Sequence, residues 1–431
     1  MSLKGFLDQV TNHIRSKEAK EMVGIELRNH LQSLVEEYEQ KGYSKTEAET
    51  KAVQQMGDPE TIGRKMNKLH RPKVDWSIIS IFLLILGLSL LPTFMLEGYY
   101  NSIGYNNYLL TSKIKAILLG VFAIAFFMLF DYRKLMRHGM GLYGLGISIL
   151  ILLSLFGKLM NGRPYFHFAG FSADATVALP FLFIAWAIFF SARNQNIGKL
   201  TGLFLLSFLI LAYTSHLFLV LLYSVLIIGM LFFSQLKKKE KVIITLVSAV
   251  IMISGSTVYF LKYPNLYLKE RFLGFIHPEQ HINGAGYINV KLQELLPKAG
   301  WFGQGKLSEA VVLPELHTDF VFFTMTYLFG WSFALFLVTI LVILSIRMMW
   351  VSKVIQDPFG RLIVFGANIL FTFQFLYSIL MTFGWLPIAG VSLPFFSHGS
   401  MAFVFNSFLL GLVLSVYRRK QFFGVNYLQT K

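Results

Sequence analysis

Long apolar runs separated by short polar breaks fill most of this chain, but the first 72 residues follow a different pattern. There, Leu3, Phe6, Val10 and Ile14 recur at a spacing of three to four, the period of an amphipathic helix. A longer helix is predicted from Ser16 to Lys41, stopped at Gly42, a residue suited to a left-handed cap. Ser44-Lys45-Thr46-Glu47 reads as a capping box opening the next helix. Asp58-Pro59 supplies a cap followed by a proline at the first helical position. Residues 1–72 are therefore expected to form a small cytoplasmic helical bundle. Arg64, Lys65, Lys68, His70, Arg71 and Lys73 crowd its end, either as a membrane-leaning patch or as a solvated face beside the first span.

From residue 73 the runs are continuous and about 20 residues long, the length of a bilayer-crossing helix. Helices are expected near 76–96, 113–131, 139–160, 173–192, 199–214, 216–234, 241–262, 319–347, 359–384 and 400–417. The fifth and sixth are short and joined by Tyr213-Thr214-Ser215-His216, so they read as one broken pair. Continuous rather than alternating runs exclude a transmembrane β-barrel. The expected fold class is all-α: a polytopic membrane protein of about ten transmembrane helices over 73–420, with a tail over 421–431. Orientation follows from the basic clusters. Arg64 to Lys73, Arg133 to Arg137, Arg193 with Lys199, Lys237 to Lys241, Arg347 with Lys353, and Arg418 to Lys420 all fall on one side. Cytoplasmic loops carry that excess, so both termini are expected in the cytoplasm.

Composition narrows the function classes. Only 14% of residues are charged, against about 25% in soluble domains, and 55% are hydrophobic. With no cysteine there is no disulfide, thiol nucleophile or cysteine-based metal site. The net charge of +16 is accounted for by the cytoplasmic loops. Without zinc-finger spacing or a P-loop, no nucleic-acid partner is expected. The polar start predicts no cleaved signal peptide at the N-terminus.

One long loop, 263–318, lies on the side opposite the termini. Tyr263, Tyr267, Phe272, Phe275, Tyr287, Trp301 and Phe302 argue against disorder and suit either the bilayer interface or packing over the bundle. Gly284, Gly286, Gly300, Gly303 and Gly305 mark turns or close backbone approach. Lys262, Lys269, Arg271, Lys291, Lys298 and Lys306 make the loop basic on the side where basic residues are disfavoured. They read as attraction for an anionic substrate or as incidental surface charge. The loop ends at Asp319, at the mouth of a membrane helix. An acid facing lipid there costs about 2.5–3.5 kcal/mol, so Asp319 either faces a cavity with a function or caps the helix.

Residues 76–420 resemble the SEDS family, the FtsW/RodA/SpoVE group. The matching pieces are Gly284-Ala285-Gly286-Tyr287, Gly303-Gln304-Gly305 and Leu313-Pro314-Glu315-Leu316-His317-Thr318-Asp319-Phe320. A second block, Leu386-Pro387-Ile388-Ala389-Gly390-Val391-Ser392-Leu393-Pro394-Phe395-Phe396-Ser397-His398-Gly399-Ser400, matches the family loop before the last helix. The resemblance implies a peptidoglycan glycosyltransferase that polymerises lipid II, an undecaprenyl-pyrophosphate-linked precursor, at the outer face of the bacterial cytoplasmic membrane. The implied roles are cell-wall synthesis for cell shape, division or sporulation. It also implies a class B penicillin-binding protein, a transpeptidase, as partner. Carried over, Asp319 is the catalytic acid, or the ligand of a divalent cation (Mg or Mn). Arg271, Lys306, Glu315, His317, Thr318, Tyr165, Ser397 and His398 are the expected substrate-binding residues. The unit over 1–72 resembles the helical prefix ahead of some bacterial permease-like proteins, which implies no chemistry.

Several family words are altered. Asn161-Gly162-Arg163-Pro164-Tyr165-Phe166-His167 offers Tyr165 or Phe166 where the family has Trp. Phe171-Ser172-Ala173-Asp174 replaces Gln-Pro-Ser-Glu, leaving Asp174 as a stand-in carboxylate or a structural cap. Thr214-Ser215-His216-Leu217 stands where the family has Pro-Asp-Leu-Gly, Tyr327-Leu328 where it has Glu-Glu, and Ser397-His398-Gly399-Ser400 where it has Ser-Tyr-Gly-Gly. His216 and His398 are either groups that titrate near neutral pH or structural histidines. Two alternatives to catalysis stand: a non-catalytic membrane partner regulating a cell-wall synthase, and a transporter of a lipid-linked precursor.

Overall fold

The computed structural model describes the whole chain apart from residues 103–107, 161–162, 169–170, 194, 215–216, 263–265, 308–312 and 421–431. Ser215, His216, Tyr263, Asn161, Gly162 and the tail over 421–431 thus lie outside the described residues. Two compact units emerge, one built on Met1–Asp75 and the other on Trp76–Val416.

The first unit contains α1 (Leu3–Asn12), α2 (Lys17–Gln40), α3 (Lys45–Met56) and α4 (Pro59–Leu69). Its helix ends follow the sequence signals. The Ser16 hydroxyl accepts from Ala19 N–H at 3.4 Å, Glu47 accepts from Ser44 N–H at 3.1 Å, and Asp58 accepts from Thr61 N–H at 2.8 Å. Side-chain and reciprocal caps of this kind satisfy amides that no helical carbonyl reaches. Phe6, Val10, Val23, Leu27, Leu31, Ala48 and Ala52 form the core.

The second unit begins with α5 (Trp76–Leu88) and α6 (Leu91–Ser102), followed by α7 (Tyr108–Leu129) and α8 (Gly139–Phe156). Next come α9 (Leu179–Ser191), α10 (Ile197–Tyr213), α11 (Leu217–Phe233) and α12 (Lys238–Lys262). The outer segment carries α13 (Leu266–Ile276) and α14 (Tyr287–Leu295), and the last three helices are α15 (Val321–Val354), α16 (Pro358–Thr382) and α17 (Ser400–Arg418). Among the described residues, six helical segments are long and apolar enough to cross a membrane: Trp76–Gly98, Tyr108–Leu129, Tyr132–Phe156, Val321–Val354, Pro358–Thr382 and Ser400–Arg418. Three shorter apolar helices lie over Ala175–Ser191, Ile197–Tyr213 and Phe218–Phe233. With α12, they match the predicted spans one for one. The protein is an all-α, multi-pass membrane protein.

The boundaries differ where the backbone breaks. The first span is two helices, because Pro92 has no N–H to continue the ladder across Ser89 and Leu90. The third stops at Phe156 rather than 160, and the fourth becomes α-helical only at Leu179 rather than 173. Between them lies a small antiparallel sheet of β1 (Lys158–Met160), β2 (Arg163–Phe168) and β3 (Phe171–Ala173). Its register pairs Lys158 with Tyr165 and Phe166 with Ala173. The outer loop is substantially helical, and Asn289 Nδ2 donates to the Gly274 carbonyl at 3.2 Å, tying α14 to α13.

The outer segment is also stitched into α15. At Gly330 the helix breaks, with φ 88° and ψ 175°. On one side, the amides of Gln304 and Gly305 donate to the carbonyls of Tyr327 and Leu328 at 2.9 and 3.0 Å. On the other, the amides of Trp331 and Ser332 donate to the carbonyls of Gly300 and Trp301 at 3.0 and 3.2 Å. A Cβ on Gly330 would fall 2.3 Å from the Trp301 oxygen, and one on Gly303 would fall 2.2 Å from the Leu328 oxygen. Both positions are glycine because two backbones touch.

Candidate active site

A cavity of about 680 Å³ opens within the second unit. Tyr108 and Ser112 reach it from α7, Tyr165 from β2, and Asp174 and Thr176 from the turn before α9. The α11 residues Phe218, Leu219 and Leu222 form an apolar wall. Arg271 comes from α13, Gln374 from α16, and Met401, Ala402 and Phe405 from α17. Two loops complete it: Pro314, Glu315, His317, Thr318, Asp319 and Phe320, and opposite them Ile388, Gly390, Ser392, His398 and Gly399.

The sequence-derived site residues largely converge here. Asp319, Arg271, Glu315, His317, Thr318, Tyr165 and His398 all line the cavity. Lys306 and Ser397 are not in its wall. Lys306 is exposed beside the Gly303–Gly305 turn. Ser397 is buried, and its hydroxyl accepts from Gly399 N–H at 3.2 Å, which makes it a turn-former. Asp174 accepts from Thr176 N–H at 3.0 Å as a cap, and it also lines the cavity. Asp319 is half-buried, one residue ahead of the α15 N-cap position, which is Phe320.

The Asp319 loop is a tight turn. Glu315 adopts a left-handed φ of 57°, and its carbonyl accepts from the amides of both Thr318 and Phe320 at 3.1 Å. The Thr318 hydroxyl donates to the Glu315 carboxylate, and the Thr324 hydroxyl donates to the Leu316 carbonyl at 2.9 Å. The left-handed conformation costs a non-glycine residue roughly 1–2 kcal/mol. The turn therefore holds its shape against backbone strain, a pattern found at functional loops.

The facing loop is anchored by a residue the sequence reading passed over. Lys113 lies in the second turn of α7 and is fully buried. Its ammonium donates to the carbonyls of Phe395, Phe396 and Ser397 at 2.8, 3.1 and 3.1 Å. All three of its donors are thereby used. The signal was present as a lysine, with Lys115 close behind it, at the start of an apolar run, where an ion is costly and needs partners. Gln374 Nε2 donates to the Ser392 carbonyl and the Tyr377 hydroxyl to the Pro387 carbonyl, at 3.1 and 3.0 Å, fastening the same loop to α16. Replacing Lys113 by Met keeps the stem but strands three carbonyls, each worth about 1–3 kcal/mol when buried unpaired. Lys113→Met is expected to destabilise the protein by about 3 kcal/mol or more and to open residues 386–399 to proteolysis. An unchanged melting temperature and digestion pattern in detergent would remove this anchor from the account.

His398 joins the two loops. Its amide donates to the His317 carbonyl at 3.0 Å, and its Nδ1 lies 3.3 Å from the same oxygen. Its Nε2 lies 3.2 Å from the Thr93 hydroxyl, so the ring ties α6 to both loops. Burial, then the neighbouring Lys113 charge, pushes the His398 imidazole down to about 3. Burial also lowers His317, against the opposing charge of Glu315. Since the folded value lies below the unfolded one of about 6.5, the contribution of His398 is complete above pH 6.5. It is lost as the pH falls from there towards 3, at up to about 1.4 kcal/mol per pH unit. The melting temperature should accordingly fall between pH 7 and pH 5, and fall less steeply in His398→Asn. Parallel profiles would show that protonation of His398 is not what acid acts on.

The described wall carries three carboxylates, from Asp174, Glu315 and Asp319, against the single guanidinium of Arg271. Nor is the outer loop as freely basic as its sequence suggested. Lys291 and Lys298 pair with Glu294 at 2.9 and 2.8 Å and hold its carboxyl well below the usual range. Among the described residues, no three His, Asp or Glu side chains converge to hold a metal ion. A divalent cation such as Mg is often bound by one or two carboxylates together with substrate phosphate oxygens and water, and Asp319 fits that mode.

A helical membrane bundle enclosing a polar, carboxylate-bearing cavity defines the class of protein. Residues 75–421 match the family model described as Cell cycle protein, FTSW_RODA_SPOVE, and the chain belongs to that family. The probable peptidoglycan glycosyltransferase FtsW of Bacillus subtilis (strain 168) is 24% identical over 370 residues, covering 79% of this chain and 90% of that protein. The peptidoglycan glycosyltransferase MrdB of Escherichia coli (strain K12) is 32% identical over 160 residues, covering 36% of this chain and 43% of MrdB. The probable peptidoglycan glycosyltransferase FtsW of Trichlorobacter lovleyi is 29% identical over 169 residues, covering 38% of this chain and 44% of that one. The chain thus spans less than half the length of the latter two relatives. Among solved structures, a chain of a peptidoglycan synthase complex that coordinates polymerisation and crosslinking superposes with a TM-score of 0.66 at 20% identity, covering 80% of this chain and 98% of that one. The rod shape determining protein RodA of Thermus thermophilus gives 0.57 at 18% identity, covering 80% and 97%. Both share the fold.

Proposed function

We propose that this protein is a peptidoglycan glycosyltransferase that polymerises lipid II at the outer face of the bacterial cytoplasmic membrane, with both termini in the cytoplasm. The observation that carries the reading is the convergence of Asp319 and Arg271 on one cavity that also has an apolar wall. In this reaction the 4-hydroxyl of one lipid II attacks the anomeric carbon of the growing glycan. The Asp319 carboxylate takes the hydroxyl proton as general base. The bond from the anomeric carbon to the pyrophosphate oxygen breaks, and undecaprenyl pyrophosphate leaves with the electron pair. Arg271 faces the charge that develops on that leaving group. Three wall carboxylates would repel a pyrophosphate, so a divalent cation held by Asp319 and the substrate phosphates suits this site. Once bound, it would neutralise the leaving group. The Phe218, Leu219 and Leu222 wall suits the lipid portion of the substrate. A class B penicillin-binding protein is the expected partner, consuming the glycan by crosslinking it.

Purified protein, supplied with labelled lipid II and Mg or Mn, is expected to produce glycan chains, with greater yield when a class B partner is co-expressed. Absence of chains from folded protein under every condition would favour a regulatory membrane partner instead.

A further inference from the structure

The α6 helix presents Thr93, Glu97 and Tyr100 at spacings of four and three, which places them on one helix face. Thr93 meets His398 and Tyr100 meets His317, so this face lies along both cavity histidines. The Tyr100 hydroxyl is 2.6 Å from His317 Nδ1, and the two rings meet edge-on with centroids 5.0 Å apart. The main chain of His317 is held separately, through its carbonyl, by His398. Tyr100 therefore acts on the imidazole ring and not on the turn that carries it.

Resting on the glycosyltransferase reading, we propose that Tyr100 is a positioning residue: its hydroxyl donates to Nδ1 of His317, which leaves the ring proton on Nε2 as a fixed donor to an oxygen of the bound saccharide pyrophosphate. The direction follows from the partners. A phenol is the stronger acid and an imidazole nitrogen the stronger base, so the short contact forms with the phenol donating. A ring accepting at Nδ1 carries its proton on Nε2. Wherever that proton meets the substrate, it adds a hydrogen bond to a group that carries or develops negative charge, and such bonds are the stronger kind. Without the phenol proton, the ring can exchange tautomers or turn over, and the donor is present only part of the time. Nothing in the sequence advertises this role, since Tyr100 lies 217 positions from its partner.

The test is a double-mutant cycle in the full-length protein. A glutamine at position 317 places an amide nitrogen where Nε2 lies and needs no phenol to set its proton. An asparagine places that nitrogen near Nδ1 instead. Tyr100→Phe keeps the ring packing and removes the donor. It is expected to lower kcat for lipid II polymerisation by about tenfold in the His317 background. In the His317→Gln background it should lower kcat by less than about twofold, and His317→Asn should be slower than His317→Gln. Equal losses in both backgrounds, or no loss in either, would overturn the proposal by making Tyr100 a packing residue or a bystander. Melting temperatures of all variants check the fold. If wild type makes no glycan, the catalytic reading fails by itself. The same cycle, read as the dissociation constant for labelled lipid II, then tests the Tyr100 donor independently.

Discussion

Asp319→Asn is expected to abolish most glycan synthesis, by about 10²–10⁴-fold, while the protein folds and inserts as wild type does. The substitution is nearly isosteric, so the cavity keeps its shape, but an amide neither accepts a proton at neutral pH nor offers a carboxylate to a cation. Both roles proposed for Asp319 would thus fail together, and the metal dependence separates them. If Asp319 holds a cation, excess Mg or Mn should recover part of the activity of Asp319→Glu, whose longer arm still carries the ligand. If it is the base alone, added metal should leave Asp319→Glu unchanged. Full-rate synthesis by folded Asp319→Asn would place the chemistry elsewhere.

The second large effect is structural and lies away from the cavity. Gly330→Ala meets two obstacles at once. Its φ of 88° with ψ 175° is a region essentially restricted to glycine, at a cost of about 1–3 kcal/mol for another residue. The new Cβ would also approach the Trp301 oxygen at 2.3 Å and the Gly303 nitrogen at 2.5 Å, both backbone atoms with no rotamer to yield. Relief requires expelling the 300–305 segment, with loss of its hydrogen bonds at about 1 kcal/mol each. A combined loss of about 3 kcal/mol or more is expected, along with faster hydrogen exchange at Gln304 and Gly305. Gly305→Ala is the control: its φ is 69°, but nothing lies within 4 Å of a Cβ there. It should cost only the backbone strain. Equal melting temperatures for the two variants would show that the clash does not matter.

The legible and illegible parts of this protein divide on physical lines. The caps at Ser16, Ser44 and Asp58 are local, and the sequence states them outright. Apolar runs reveal their helices because a bilayer imposes one length and one solvent on all of them. Asp319 was legible for the same reason, as a charge at a membrane mouth. Lys113 was the same kind of residue, but it stood at the edge of the predicted span, where a lysine reads as a flank. Extending α7 back to Tyr108 moves it inside. The hydrogen bonds between Tyr100 and His317 and between Thr93 and His398 join residues 217 and 305 positions apart, which no window along the chain connects. The short sheet over 158–173 leaves no mark in the sequence, where it reads as helix ends on either side of a loop, because three-residue strands carry no period of their own. Lys306 and Ser397 lie outside the cavity wall for a simpler reason: adjacency to a motif is not the same as facing its cavity.

The seam between residues 300–305 and the broken α15 also bears on how the protein is made. A span interrupted near a lipid phase cannot leave four backbone groups unpaired there. The partners of those groups come earlier in the chain, so they leave the ribosome first. The eighth span can reach its final form only after the preceding segment has been made and stands ready to receive it. Synthesis order thus matches assembly order, and a chain whose segment between α12 and α15 fails to fold in time would be expected to strand the eighth span half-formed and mark itself for degradation.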